Sequence, residues 1–459
     1  MVTKNAPAAR TAQADVVVAG GGPAGVCAAI AAARAGARTT LLERAAFLGG
    51  TATGAMMASF MGFYWRDTRV TGGIGYEITR RLVDAGGATD FVDYTLAEAS
   101  DNPVPVRTFP IDPEVLKFVL DDMVSEAGVD VWLHTQAVDP IVTDGRAGGV
   151  IAQGVMDRTA ISAPVTVDTG GNGALARGAG AEFQNASDDR QDLQPMTLMA
   201  RLSKVDVARF RALPRAEKQR LSKHGMATGE LAQRIMSLVS SPSGDDAFIL
   251  MTRVSGCDGA DERDLTRAEM EGRRQLRGVL GFLRREVPGF ERCELTATAP
   301  WIGVRETWRI VGDHVLEAED VLAGRQFPDA IAQGGGPLDV HHPRGGGLTL
   351  IEPPTPFSTP YRCLLPRGVE NMLVAGRCAS ATGEAMGALR HMASAMALGH
   401  AAGAAAALAA AQGIPPRRVD PEELRRVLRE QNAIIDNPVT TGRPAVPSRS
   451  RSRSEDVTT

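Results

Sequence analysis

Ten residues near the N-terminus constrain the fold more than any other stretch: Val16-Val17-Val18-Ala19-Gly20-Gly21-Gly22-Pro23-Ala24-Gly25. An apolar run stops at glycines, and a proline opens the next segment. Asp15 to Ala19 reads as a strand, Pro23 to Ala35 as a helix closed by Gly36, and Arg38 to Glu43 as a second apolar strand. A β-turn-α-β unit this short is the start of a doubly wound sheet. Each glycine of Gly20-x-Gly22-x-x-Gly25 has its own physical reason. Gly20 permits the tight turn, Gly22 lets a pyrophosphate approach the backbone, and Gly25 lets helix and strand pack closely. The helix start at Pro23 and Ala24 presents free N–H groups and a positive dipole end to phosphate. Glu43 ends the second strand, 43 − 20 = 23 residues after the first glycine. At that spacing a carboxylate accepts hydrogen bonds from ribose hydroxyls. The unit is a dinucleotide cradle, and by itself it does not separate a nicotinamide from a flavin cofactor.

The chain has 459 residues, enough for two or three domains. Its formal net charge of -4, with no basic stripe carrying aromatics, gives no reason to expect a nucleic-acid partner. The five cysteines, Cys27, Cys257, Cys293, Cys363 and Cys378, are scattered and form no CxxC pair. That spacing offers no metal site and reads as reduced thiols in a cytoplasmic protein. Met1 to Ala14 is polar, without the apolar stretch of a signal peptide. Met392 to Gln412 has the length of a membrane span, but it is mostly alanine and glycine with His400 inside it. It reads as a buried helix of a protein with no membrane partner. Gly399-x-x-x-Gly403 then signals close helix packing.

Further along, Asp112-Pro113-Glu114 predicts a capped helix with Val115, Phe118, Val119 and Met123 on one face. Val129 to Leu133 and Val138 to Val142 read as strands, and Asp144-Gly145 as a hairpin turn. Between Gln191 and Pro356 the character changes to Arg-rich helical stretches and loops. Thr266-x-x-Glu269 reads there as a capping box before Leu276, Val279, Leu280 and Leu283. Asn371 to Ala375 is again an apolar strand, and Asp420-Pro421-Glu422-Glu423 caps a last helix. The division expected is a disordered tail at 1–14, a nucleotide-binding domain over 15–190 and 356–415, an insertion at 191–355, a C-terminal helix at 416–436, and a second disordered tail at 437–459.

Three blocks specify the cofactor by resemblance. Glu43-Arg44 followed by Gly49-Gly50-Thr51 resembles flavoproteins of the glutathione-reductase-like group, where these glycines meet the pyrophosphate and the flavin ring. Ala163-Pro-Val-Thr-Val-Asp168-Thr-Gly170-Gly-Asn-Gly173 resembles the second FAD fingerprint, although Gly170 stands where threonine is usual. Asp168 alone is equally compatible with capping a turn. The block from Asn371 to Arg390, continued from Met396, resembles the C-terminal FAD block of the FAD-dependent oxidoreductase family, a distant relative of fumarate reductase flavoproteins. Gly303 to Gly312, Phe327-Pro-Asp329, Pro360 to Pro366 and Gly72 to Glu77 are similar to the same family, so the likeness spans residues 15 to 412.

That resemblance implies an α/β fold: a doubly wound, Rossmann-like FAD-binding domain of glutathione-reductase type with an inserted α+β substrate domain. It implies Gly376, Arg377 and Met396 as flavin contacts, at a helix N-terminus whose positive end stabilises the reduced flavin. Val138 joins the cofactor set. The family often carries a histidine where Thr382-Gly383-Glu384 stand here, and none lies near Gly49-Gly50. Non-covalent FAD and no metal are therefore expected.

There is no second complete GxGxxG and no CxxxxC pair, which argues against a pyridine-nucleotide disulfide reductase. A substrate C–H must be held near flavin N5 beside a proton acceptor. The candidates are Arg305, His341, Tyr361 and Arg390, with Arg309, His342 and Glu384 behind them. Arg305 and Arg390 would orient an anion or polarise a carbonyl, and His341 or Tyr361 would move the proton. Bland readings stand beside these: Arg305 and Glu306 in structural ion pairs, His341-His342 in an exposed loop, His391 and His400 in helix packing. Tyr64-Trp65 fits a lid over the flavin and a satellite core cluster equally well. The reading is an FAD-dependent dehydrogenase or oxidase that oxidises or desaturates a small organic substrate by hydride transfer to N5. Oxygen or another electron acceptor would regenerate the flavin, and a homo-oligomer is compatible with it. An FAD monooxygenase using NAD(P)H and oxygen is the first alternative, and a non-catalytic flavin-binding partner protein is the second.

Overall fold

Val16 to Ala19 is buried at every position, and alternate residues enter different cores. Val16 and Val18 join the helix side, while Val17 and Ala19 join the opposite side. A strand covered on both faces must be apolar throughout, which is why this run shows no polar alternation. The computed structural model describes residues 8–98, 103–184, 192–242, 244, 246–344 and 346–439.

In chain order the principal elements begin with β1 (Arg10–Gln13), β2 (Val16–Ala19), α1 (Pro23–Arg34), β3 (Thr39–Leu42), β4 (Ser59–Met61), α2 (Gly73–Asp84), β5 (Val92–Leu96) and β6 (Val104–Pro110). Next come α3 (Pro113–Glu126), β7 (Asp130–Trp132), β8 (Gln136–Thr143), β9 (Arg146–Gln153), β10 (Arg158–Ser162), β11 (Val165–Asp168) and α4 (Ala174–Gly178). The middle of the chain gives β12 (Ala200–Ser203), α5 (Arg215–Ala227), β13 (Ser237–Ser240), β14 (Ala247–Leu250), α6 (Glu262–Glu286) and β15 (Glu294–Thr298). The last are β16 (Leu338–His341), β17 (Leu348–Ile351), β18 (Met372–Val374), α7 (Gly383–Leu389), α8 (Met392–Gln412) and α9 (Pro421–Glu430).

The mixed α/β fold centres on a parallel sheet ordered β18-β11-β2-β3-β7. One face carries α1 and α8. The other carries a second sheet, β1-β10-β9-β8. The β8–β9 hairpin turns at Asp144 and Gly145, both left-handed (φ 49° and 73°), as a two-residue hairpin turn requires. A third sheet, β4-β6-β5, and a fourth, β13-β14-β12-β15, stand above the C-terminal ends of the parallel strands. The fourth has a core of its own, with Leu202, Phe210, Ile249, Phe282 and Phe290 buried together.

Helix α8 is long and apolar enough to cross a membrane, yet 89% of its most apolar stretch is buried inside the protein. It lies against α1 with no clearance. A Cβ on Gly399 or Gly403 would overlap the carbonyl oxygens of Ala24 and Ala28. The small-xxx-small pattern is a groove for a neighbouring backbone.

Several expectations need correction. Residues 10–13 are not a disordered tail, because β1 pairs in parallel with β10. Residues 1–7 and 440–459 lie outside the described residues. On α3 the buried stripe is Leu116, Val119, Leu120 and Met123, while Phe118 is 66% exposed. The i, i+3, i+4 spacing runs from Leu116, and Phe118 falls off it. Helix α6 starts one turn before Thr266. Asp261 caps it by accepting from the Arg263 and Asp264 amides, and Thr266 bonds back to the Glu262 oxygen inside the helix. Glu269 instead accepts from the Ile302 amide at 2.6 Å. Gly73 to Glu77 form the first turn of α2.

Candidate active site

Four turns meet at the C-terminal edge of the parallel sheet: Gly20 after β2, Glu43 after β3, Thr169 after β11, and Gly376 after β18. In an open parallel α/β sheet this edge is where ligands sit. All four residues line one cavity of about 510 Å³.

The cradle is built for close approach. A Cβ on Gly25 would overlap the Gly20 oxygen, so that glycine serves packing and does not reach the cavity. Gly22, by contrast, faces open space: the nearest atom to a Cβ there is the Gly50 Cα at 4.0 Å. No side chain caps the α1 N-terminus, and its first turn holds no acid. Its amides, beside Pro23 and Ala24, are left for an external anion. Glu43 is 8% exposed and organises the loops, since its Oε2 accepts from the Gly21 amide at 2.7 Å and its Oε1 from the Ala45 amide at 2.8 Å. Arg44, Gly50 and Thr51 complete this end of the wall.

Asp168 lines the cavity but spends its carboxylate internally. It accepts from the amides of Gly170, Leu175 and Ala176 at 3.0, 3.0 and 3.1 Å. Burial raises its pKa, and those amides oppose the rise. The hydroxyl absent at Gly170 appears one residue earlier, where Thr169 Oγ1 donates to the Gly20 oxygen at 2.7 Å and ties the two loops together. At the far end, Arg377 Nη2 donates to Asn172 Oδ1 at 2.8 Å, while its Nη1 is buried without a partner. Burial lowers the Arg377 pKa to about 10. An open glycine floor, an uncapped helix start and an orphaned guanidinium nitrogen are the features a bound dinucleotide satisfies, so these residues fit FAD.

Besides Gly25, three cofactor candidates lie off the cavity. Gly49 stands behind Gly50, packed against Thr53. Val138 is the extra residue of a β-bulge between Ala137 and Asp139, and the neighbouring Gln136 and Ala137 face the cavity instead. Met396 is buried against Gly75. Met392 and Ala395, nearer the α8 N-terminus, line the cavity.

Arg305, His341 and Arg390 come together on the cavity wall, and Asp339 and His391 join them. Asp339 and His341 are two apart on β16, so they project to the same side. His341 Nε2 lies 3.3 Å from Asp339 Oδ1, and Arg390 Nη2 lies 3.1 Å from Asp339 Oδ2. Burial pushes Asp339 up, but the Arg390 charge and the hydrogen bond from His341 oppose it and hold its carboxyl well below the usual range. Burial and Arg305 lower His341 to about 4, so its ring is neutral near pH 7. With the proton on Nε2 facing the carboxylate, Nδ1 keeps a lone pair, and it is buried without a partner. Arg390 Nε is equally unpartnered.

Arg305 donates only to the Pro195 oxygen, and among the described residues no carboxylate pairs with it. Glu306 does not serve, because it accepts from the Gln194 amide at 2.6 Å and faces Arg309 at 3.8 Å. Burial, then Arg390, lowers Arg305 to about 9. His391, read from the sequence as helix packing, is 5% exposed, stands at the N-cap position of α8 without a capping hydrogen bond, and leaves both ring nitrogens unpartnered. Burial and Arg390 lower it to about 4. Unpaired buried polar groups are rare, and six such atoms on five residues of one cavity, Thr197 Oγ1 among them, mark it as a binding site.

Other candidates are elsewhere. Tyr361 is fully buried away from the cavity, its hydroxyl donating to the Pro416 oxygen at 2.9 Å, and burial raises its pKa. Arg309 is buried, with Nε donating to the Ala381 oxygen. His342 and Glu384 are exposed. Tyr64 joins the Phe63 and Phe91 cluster, and Trp65 Nε1 donates to the Pro353 oxygen at 2.9 Å, so neither covers the cavity. Sequence reading missed Asp339 and His391. Asp339-x-His341 at alternate strand positions was a visible signal, whereas His391 had none short of knowing where α8 begins.

Fold and cavity together define a nucleotide-cofactor oxidoreductase built on a parallel α/β sheet, with helices on one face and a second sheet on the other in place of the doubly wound arrangement expected from the sequence. Residues 15–428 match the FAD dependent oxidoreductase family, and the chain belongs to it. It is therefore an FAD-dependent enzyme. No curated protein matches it. In fold it is similar to a geranylgeranyl bacteriochlorophyll reductase-like protein from Thermoplasma acidophilum, with 14% identity, TM-score 0.50, and 95% of this chain and 89% of that one covered. It is also similar to p-nitrophenol 4-monooxygenase from Pseudomonas putida, with 13% identity, TM-score 0.50, and 94% and 86% covered. At such identities the likeness concerns the fold alone.

Proposed function

We propose that this protein is a dehydrogenase or oxidase that removes two hydrogens from a small organic substrate, with His341 as proton acceptor. One observation carries the reading: His341 Nε2 faces Asp339 Oδ1 at 3.3 Å, and its Nδ1 is left bare on the cavity wall. Bound FAD would supply the two-electron chemistry, accepting a hydride from the substrate carbon. Nδ1 takes the accompanying proton, and the ring then becomes an imidazolium facing the Asp339 carboxylate. Arg305 and the Nε–H of Arg390 hold an electron-rich oxygen of the substrate and polarise the reacting C–H. Oxygen or another acceptor of two electrons regenerates the oxidised enzyme.

Within the same reading the nucleotide fold is of glutathione-reductase type, FAD is bound non-covalently, and residues 191–355 form an inserted domain that covers the substrate. Support for the insertion comes from the separate core of the β13-β14-β12-β15 sheet. We place the protein in the cytoplasm on its five unpaired cysteines, all of them buried.

The test is anaerobic flavin bleaching against a metabolite library, repeated with His341→Gln. Bleaching by an organic substrate, slowed in the variant with FAD content unchanged, is the expected result. Rapid reduction by NADPH alone would assign the protein to the monooxygenases. A flavin that no small molecule reduces would point to a non-catalytic partner role.

A further inference from the structure

The hairpin that carries Asp339 and His341 also carries leucines. Its register sets Asp339 opposite Leu350 and His341 opposite Leu348. Directly opposed residues share a face, with Cβ atoms about 5 Å apart. All four line the cavity, so its polar cluster passes into an apolar wall within one strand spacing.

Two other sheets continue that wall. On β5 the burial pattern alternates, and the inward residues Val92, Tyr94 and Leu96 line the cavity while Asp93 and Thr95 point away. On β4 the same alternation brings Ser59 and Met61 to the cavity and sends Phe60 into the core. Ile235 just before β13, Leu238 and Val239 on β13, and Leu250 on β14 line it too. Three sheets of separate origin thus turn aliphatic side chains toward one space. Arg305 makes no direct ion pair with a carboxylate among the described residues, Asp339 and Glu306 acting on it only at longer range, and it stands where that space meets His341. A buried cation with no directly paired counter-ion is costly until an anion joins it.

We propose that the substrate is an amphiphile: a singly anionic, oxygen-bearing head at Arg305, and an aliphatic body along the wall shared by β5, β13 and the β16–β17 hairpin. The inference rests on the reading of His341 and its neighbours as the reaction end of the cavity, and it adds the class of molecule that reaches them. The carbon oxidised lies close to the head, because apolar surface begins one strand spacing beyond His341.

The experiment is equilibrium binding of butanoate, hexanoate and octanoate to the FAD-loaded protein, with octylamine as the charge control. Each methylene buried on the wall should tighten binding about fourfold, and octylamine should not bind. Arg305→Gln should weaken all three acids about equally and keep the length dependence. Val239→Trp, which fills the apolar passage at a half-buried position, should weaken octanoate and spare butanoate. If that variant loses FAD, Val239→Asp makes the same comparison. Equal affinity along the series, binding of octylamine as tight as octanoate, or no binding of any acid would overturn the proposal. These readouts need no turnover. A His341→Gln enzyme that reduces its flavin at the wild-type rate would remove the proton acceptor and leave the length series intact. A flat length series would remove the amphiphile and leave His341.

Discussion

Arg390 holds Asp339 from two directions. Its Nη2 donates to the Asp339 main-chain oxygen at 2.7 Å and to the carboxylate at 3.1 Å. In the mechanism proposed above, Asp339 is the group that would orient His341 and stabilise the cation formed when the ring takes a proton. Asp339→Asn keeps the volume and removes the charge. The substrate-dependent rate of flavin reduction should fall about a hundredfold or more, with KM and FAD content little changed. Stopped-flow absorbance measures it, and a rate equal to wild type would detach Asp339 from the chemistry.

Gly22→Val should separate cofactor retention from folding. A side chain there meets open space in the protein and only the path of the pyrophosphate. The purified variant should show wild-type secondary structure and a flavin-to-protein ratio near zero. A variant that kept its FAD would mean that the phosphates lie elsewhere.

Stability should be lost in mild acid. His341, His391 and His400 are each held at about 4 by burial, while unfolded imidazoles titrate near 6.5. Between those values the unfolded chain binds more protons than the folded one. The three contributions are complete above about pH 6.5 and decline as pH falls toward 4. The urea midpoint should therefore drop across that window. His400→Met, away from the cavity, should reduce the pH slope by about one third. An unchanged slope would show that His400 is not buried neutral.

Gly403→Leu should destabilise without touching any cavity residue. The new side chain would enter the Ala28 backbone, and overpacking of this kind costs about 3 kcal/mol. A lower Tm with FAD still bound is expected. An unchanged Tm would mean that the two helices can separate freely.

Where one residue type had one physical use, the sequence was enough to read the structure. Gly20, Gly22 and Gly25 fall into turn, floor and packing roles because a Cβ at each would meet something different. Asp112 and Asp420 cap their helices as their Asp-Pro-Glu pattern demands. Legibility failed where tertiary distance decided. Tyr361 and His341 are equally plausible proton carriers by residue type, and only packing sends the first toward Pro416 and the second to the cavity. Met396 was one turn off because the start of α8 depends on His391, which carries no cap signature. The pairing of His341 with Leu348 is a matter of hairpin register, which the intervening glycines leave unmarked.

Ala24 belongs to two structures at once. It lines the phosphate end of the cavity, and its carbonyl is the surface against which Gly399 is pressed. Helix α1 begins at the glycine loop where the phosphates would sit, and α8 begins at His391 and Met392 beside the cluster proposed to react. Locked backbone to backbone, the two helices act as a gauge whose setting no rotamer change can alter. Such a protein can change its chemistry by exchanging residues on the outer sheets while the distance between its two cofactor ends stays constant.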